Sequence, residues 1–148
     1  MRTVGILLFL ISVSFSAKSE NSERGVFDGG VFEGEYVLVR AGGTQYCYKE
    51  MTVQYDQQAR SIWLTDVVSG DFEIYANING EGVKESGKTF YTQASGNRVR
   101  SLTIWSQVRG MQEERLLYLS PDKKVLVYEN NYRSENMGSH HSCRWNRK

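Results

Sequence analysis

The chain has 148 residues, with 18 Lys and Arg against 17 Asp and Glu, 40% hydrophobic residues and a single proline. That length suits one domain and excludes two large ones. The composition excludes a disordered, collagen-like or disulfide-dense chain, and the near-neutral charge excludes action through bulk attraction to nucleic acid or anionic membranes.

The first residues carry an export pattern. Met1 and Arg2 give a positive start, Val4 to Phe15 is almost unbroken apolar sequence, and Ser14 and Ser16 set small residues where a signal peptidase reads. The pattern predicts that residues 1–16 are removed as a signal peptide, with a cut after Ser19 as the second choice. The apolar run spans about 12 residues, short of the roughly 20 that cross a bilayer, so no transmembrane segment is expected. Without Arg2 the balance is 17 against 17. An exported, periplasmic or extracellular protein follows, with residues 17–148 as one domain and a polar leader to about residue 30.

Short runs with a period of two follow, separated by turn residues. Strands are expected at Tyr36 to Arg40, Cys47 to Tyr55, Ile62 to Val68 and Phe72 to Ile78, the last closed by Asn79-Gly80 as a tight hairpin. Further strands are expected at Lys88 to Ala94, Arg98 to Val108, Leu116 to Leu119 and Lys124 to Tyr132, with Gln112 to Leu117 as the one stretch that could instead make a helical turn. A polar tail holds His140, His141, Cys143 and Trp145. Eight short strands with short connections predict an all-β, antiparallel meander closed into a barrel, since closure removes exposed edges; a two-sheet sandwich is the alternative.

Only two cysteines occur, Cys47 and Cys143, and in an oxidising compartment an isolated pair reads as a bridge. It would fasten the tail to an early strand.

Catalytic motifs are absent: there is no nucleophile elbow, phosphate loop, zinc-protease helix or calcium loop. His140 and His141 are adjacent in the tail and read as solvated; Met137 with these histidines is a weaker copper option. Glu113 and Glu114 point to opposite sides of a strand and read as a solvated edge with Arg115. No enzyme, metal or other cofactor is therefore expected, and a monomer is. The 12% aromatic content is the strongest compositional signal. Trp63, Trp105 and Tyr36 are candidates for lining a ligand pocket.

The layout resembles the lipocalin-like, or calycin, group of secreted eight-stranded barrels. The resemblance is carried by Gly34-Glu35-Tyr36 at the first strand, where lipocalins have Gly-x-Trp, and by a late arginine, Arg144, where theirs packs across that ring. It implies a cavity for a small apolar ligand. A narrower resemblance is to periplasmic inhibitors of c-type lysozymes: Tyr46-Cys47, Ser95-Gly96 and Arg109-Gly110 stand near that family's Tyr-x-Cys, Ser-Gly loop and Lys-Gly turn. It implies that Ser95 and Arg109 would meet the enzyme's catalytic carboxylates. The functional expectation is thus an exported, non-catalytic binding protein for a small apolar ligand or a protein partner, with Ser95, Arg98 and Arg109 as partner-facing residues and lysozyme inhibition as the alternative. Ser95 and Arg109 bracket one strand, so joint contact with one cleft would require a bulge between Val99 and Val108.

Overall fold

The computed structural model describes residues 27–43 and 46–148. The signal peptide, its cut and nearly all of the polar leader fall on residues 1–26, outside the described residues. A 3-10 turn at Gly29–Phe32 leads into ten strands: β1 (Gly34–Gly42), β2 (Glu50–Asp56), β3 (Ser61–Asp66), β4 (Phe72–Tyr75), β5 (Val83–Glu85), β6 (Lys88–Ser95), β7 (Arg98–Trp105), β8 (Gln112–Leu119), β9 (Val125–Arg133) and β10 (Gly138–Arg147). They form one antiparallel sheet in the order β4-β3-β2-β1-β10-β9-β8-β7-β6-β5. Among the described residues no helix is long and apolar enough to cross a membrane.

The all-β, antiparallel class is as read from the sequence. The closed eight-stranded barrel is corrected: ten strands curve into an open half-barrel, and because they form one sheet the sandwich does not apply either. The edges are β4 and β5, chain neighbours with no ladder between them. Two strands lacked a readable pattern. β5 is only Val-Lys-Glu and wholly exposed, while β10 hides its inward positions His141, Cys143 and Trp145 among polar residues. The stretch from Gln112 is strand β8, with no helical turn.

Asn79-Gly80 does not close a hairpin. The β5–β6 turn falls at Ser86-Gly87, where both residues have positive φ, 49° and 74°, as a two-residue turn between twisted strands requires. Asn79 serves the open side instead. Its backbone N–H donates to Thr92 O (2.8 Å), its Nδ2 donates to Ala94 O (3.0 Å) and its Oδ1 accepts from Ala94 N (2.7 Å). The side-chain amide thus acts as a substitute peptide unit along the part of β6 that β5 is too short to cover.

The two halves of the sheet are joined through the first and last strands. β1 pairs with β10 across a bulge between Leu38 and Arg40. Buried Tyr36 sits at the base of this seam; its hydroxyl donates to Phe32 O (2.8 Å) and accepts from Arg147 Nε (3.1 Å) and Nη2 (2.6 Å). The same guanidinium lies 5.3 Å from the Tyr36 ring centroid and donates to Val31 O (2.6 Å). The arginine that crosses the first-strand aromatic is therefore Arg147; Arg144, expected in that role, is exposed on the outer face opposite Val127.

The core joins Phe32, Tyr36, Met51, Val53, Ile62, Leu64 and Tyr75 on one wall to Val99, Leu117, Leu119, Leu126 and Trp145 on the other. Cys47 and Cys143 are bridged, with Cα atoms 5.8 Å apart and 96 positions between them. The bridge holds the β1–β2 connection against β10.

Two outcomes test this account. The double variant Cys47→Ala/Cys143→Ala loses about 4 kcal/mol in chemical denaturation, the loop-closure value for so long a loop, and the unreduced wild-type protein takes up no alkylating reagent in mass spectrometry. Tyr36→Phe leaves the Phe32 carbonyl and part of the Arg147 fork unpaired, and lowers stability by about 1 to 3 kcal/mol in the same measurement.

Candidate functional site

Two regions of the half-barrel carry chemistry, one at each end of the open side. At the first, the 3-10 turn, the β2–β3 turn, the β4–β5 connection and the β6–β7 turn border a cleft of about 1360 Å³. Phe27, Tyr55, Ile78 and Ala94 give it an apolar base, with Phe27 edge-on to Tyr55 at 6.1 Å. Arg60, Arg98 and Arg100 stand on its walls with Asp28 and Glu33. Arg100 is ion-paired with Glu114. Arg60 instead donates to Asn77 Oδ1 (2.9 Å), and Arg98 lies over the Tyr118 ring (5.4 Å). Neither has a carboxylate at ion-pair distance among the described residues. The cleft thus combines apolar surface with two cations free to meet an anion.

The second region lies inside the sheet. Register carries one polar row across five strands, pairing His141 with Asn130, Asn130 with Arg115, Arg115 with Ser101 and Ser101 with Thr92. The neighbouring row, Cys143, Tyr128, Leu117, Val99 and Ala94, is largely apolar. Glu113 lies one row further on, and its Oε1 accepts from Asn130 Nδ2 (2.6 Å), which is also 3.3 Å from the Tyr128 hydroxyl. Arg115 reaches across the interior to the edge strand, donating to Ile74 O (3.3 Å), approaching Glu73 Oε2 (3.6 Å) and covering the Tyr75 ring (5.1 Å).

Burial sets the electrostatics of this cluster. It raises the Glu73 carboxyl; Arg115 and a hydrogen bond with Tyr128 oppose the rise and Glu113 adds to it. Burial raises Tyr75 and Tyr128 as well, and lowers His141, with His140 adding to that fall and Glu113 opposing it. Glu73 Oε2, Tyr75 Oη, Arg115 Nε, Asn130 Oδ1 and His141 Nε2 are buried atoms without a hydrogen-bond partner among the described residues.

The residues singled out in the sequence are distributed unevenly over these regions. Ser95 and Arg98 line the cleft. Arg109 lies beyond the far end of β7, 94% exposed and 3.8 Å from Glu135, and β7 keeps an unbroken register from Arg98 to Ile104, so no bulge in that span brings it back. Trp63 stacks on Phe72 at 5.0 Å on the outer face, Trp105 meets Tyr132 edge-on at 6.3 Å under Lys88, and Tyr36 is in the core. The three do not converge on one pocket. His141 is buried on β10 and not part of a solvated tail, while exposed His140 bonds Asn131 (2.7 Å). Glu113 and Arg115 face inward together, and Glu114 faces out to Arg100.

Sequence reasoning missed Glu73, Tyr75, Arg115, Tyr128 and Asn130. The available signal was phase: Glu113 and Arg115 share parity with Leu117 and Leu119, as Asn130 does with Tyr128 and Leu126. Among the described residues no group of three His, Cys, Asp or Glu is placed to hold a metal ion. No protein-family model matches the chain, and no curated protein matches it.

The cluster predicts a pH dependence. Burial lowers His141 in the fold, so below its ordinary value of 6.5 the unfolded chain binds more protons at this site than the folded chain does. Stability is then lost as pH falls from about 6.5 through the lower folded value. Glu73 acts with the opposite sign, because the fold holds its proton above the ordinary 4.5. Thermal melts of the wild type and His141→Gln between pH 7 and pH 5 separate the two: the variant shows the smaller acid-induced drop in Tm.

Proposed function

We propose that the protein is an exported, non-catalytic binding protein of lipocalin-like build that takes its ligand in the cleft at the mouth of the half-barrel. The ligand has an apolar body and an acidic group. The observation that carries this reading is the pairing, in one cleft of about 1360 Å³, of Phe27, Tyr55, Ile78 and Ala94 with the guanidinium groups of Arg60 and Arg98. Pockets for small ligands usually measure about 300 to 1000 Å³, mostly apolar with a few polar groups that fix orientation. This one is larger because it is an open cleft, with its polar groups on the walls and its apolar groups at the base. Export is supported by the leader sequence and by the Cys47–Cys143 bridge.

The Tyr36–Arg147 contact supports the calycin likeness, since it sets an arginine across the first-strand aromatic. A protein partner is the second reading, favoured by the exposed Ser95-Gly96-Asn97-Arg98 turn on the cleft rim. Inhibition of a c-type lysozyme through Ser95 and Arg109 together would require one enzyme to engage opposite ends of β7.

Titration with 1-anilinonaphthalene-8-sulfonate, an apolar body bearing one anionic group, tests the ligand reading. A saturable fluorescence rise at micromolar probe, about −8 kcal/mol, is expected. The double variant Arg60→Glu/Arg98→Glu weakens it at least about tenfold, or ~1.4 kcal/mol, while binding of the uncharged N-phenyl-1-naphthylamine changes little. No saturable signal, or equal loss for both probes, rejects the reading.

A further inference from the structure

We propose that the polar end of the half-barrel interior is a second binding site, built for a small organic cation that carries a primary ammonium group. This site is separate from the mouth cleft and does not depend on it. Of two inward carboxylates, Glu73 lies 3.6 Å from the Arg115 guanidinium, while Glu113 accepts from Asn130 Nδ2 and has no cation at ion-pair distance among the described residues. Asp66 adds to the acidic character of this end: it is 4% exposed, and its Oδ1 has no hydrogen-bond partner among the described residues.

An independent observation points to a ligand. Asn130 and His141 are each 5% exposed and Tyr75 is fully buried, yet Asn130 Oδ1, His141 Nε2 and the Tyr75 hydroxyl are all unpartnered among the described residues. Such atoms normally find a partner, because leaving one unpaired in the interior costs about 1 to 3 kcal/mol. Asn130 cannot turn away from the site, since its Nδ2 is held by Glu113 and Tyr128. Its carbonyl is therefore left for a donor from outside the chain.

The chemistry of the site selects among ligands. An anion would meet Glu73 and Glu113. A metal ion lacks three suitable ligating groups among the described residues. A neutral molecule would leave the excess charge as it is. A primary ammonium brings one positive charge and three N–H donors for the oxygens of Glu73, Asn130 and Tyr75 that lack a hydrogen bond among the described residues, and the Tyr128 ring offers a face that attracts cations, the Tyr75 face being covered by Arg115. Entry is by the open side. Glu73 lies on edge strand β4, unpaired with β5, and its side chain keeps 26% of its exposure.

Isothermal titration at pH 7 with benzylammonium, benzyl alcohol and benzoate, three probes sharing one ring, tests the assignment. Saturable binding of benzylammonium is expected, at least tenfold tighter than either of the others. Glu73→Gln, which keeps the shape and removes the charge, weakens it at least tenfold; if that variant does not melt cooperatively, Glu113→Gln carries the same test. Arg60→Glu/Arg98→Glu leaves benzylammonium affinity within twofold, so failure of the mouth cleft and failure of this site read out separately. Absence of saturable benzylammonium binding, equal affinity for benzyl alcohol, or undiminished binding by a folded Glu73→Gln protein overturns the proposal.

Discussion

The pairing of the first strand with the last is the constraint on which the rest of the structure depends. Every other ladder joins strands adjacent in sequence, so β1 with β10 is the single long-range choice in the topology. Closing so long a loop carries a large entropic cost, so the pairing needs strong local fastening. Tyr36 and Arg147 provide it at one end of the seam and the Cys47–Cys143 bridge at the other. The Arg147 fork also holds Val31 O, and through the Tyr36 hydroxyl it reaches Phe32 O. One side chain therefore ties the last strand, the first strand and the 3-10 turn that walls the mouth cleft.

Since the first and last strands meet in the middle of the sheet, its two edges, β4 and β5, fall in mid-chain. Strand edges left bare invite pairing with other chains, and here side chains cover part of the opening in place of a ladder. Asn79 occupies main-chain groups of β6 at one end, and Arg115 crosses from β8 to the Ile74 carbonyl of β4 at the other. Both candidate binding regions lie beside these struts. Asn79 itself lines the mouth cleft, and Arg115 sits in the interior polar cluster.

The strands that alternate cleanly were legible from sequence alone, as were the antiparallel meander and the cysteine pair. The ring was misjudged because its size turns on β5 and β10, and neither shows its role in composition: Val83 to Glu85 has too few residues for a pattern, and Gly138 to Arg147 buries a histidine, a cysteine and a tryptophan between exposed polar residues. Asn79-Gly80 has the composition of a hairpin turn, but the bare edge of β6 captured the asparagine side chain. The cleft was half legible, since Ser95 and Arg98 stand out beside a glycine, whereas Phe27, Tyr55 and Arg60 join them only through the curl of the sheet. The interior cluster was harder to read for a further reason. Charged residues on a strand are usually solvated, and the phase that Glu113 and Arg115 share with Leu117 and Leu119 gains weight only with the register of β8 against β9.

Stability alone does not account for that inward side. One row away, Tyr128, Leu117 and Val99 pack as an ordinary core, so the same strands could have carried apolar residues throughout. Buried ion pairs rarely improve on well-packed apolar groups, because the loss of hydration offsets much of their attraction. Here the offset is larger still, since the pair comes with a second carboxylate and several unpartnered polar atoms. On the proposed reading, a bound cation of complementary charge would repay the desolvation that the chain's own groups leave uncompensated. The two regions are then complementary in sign. The mouth offers guanidinium groups over an apolar base, the interior offers carboxylates among tyrosine rings, and the apolar row that ends in Ala94, itself part of the cleft lining, lies between them.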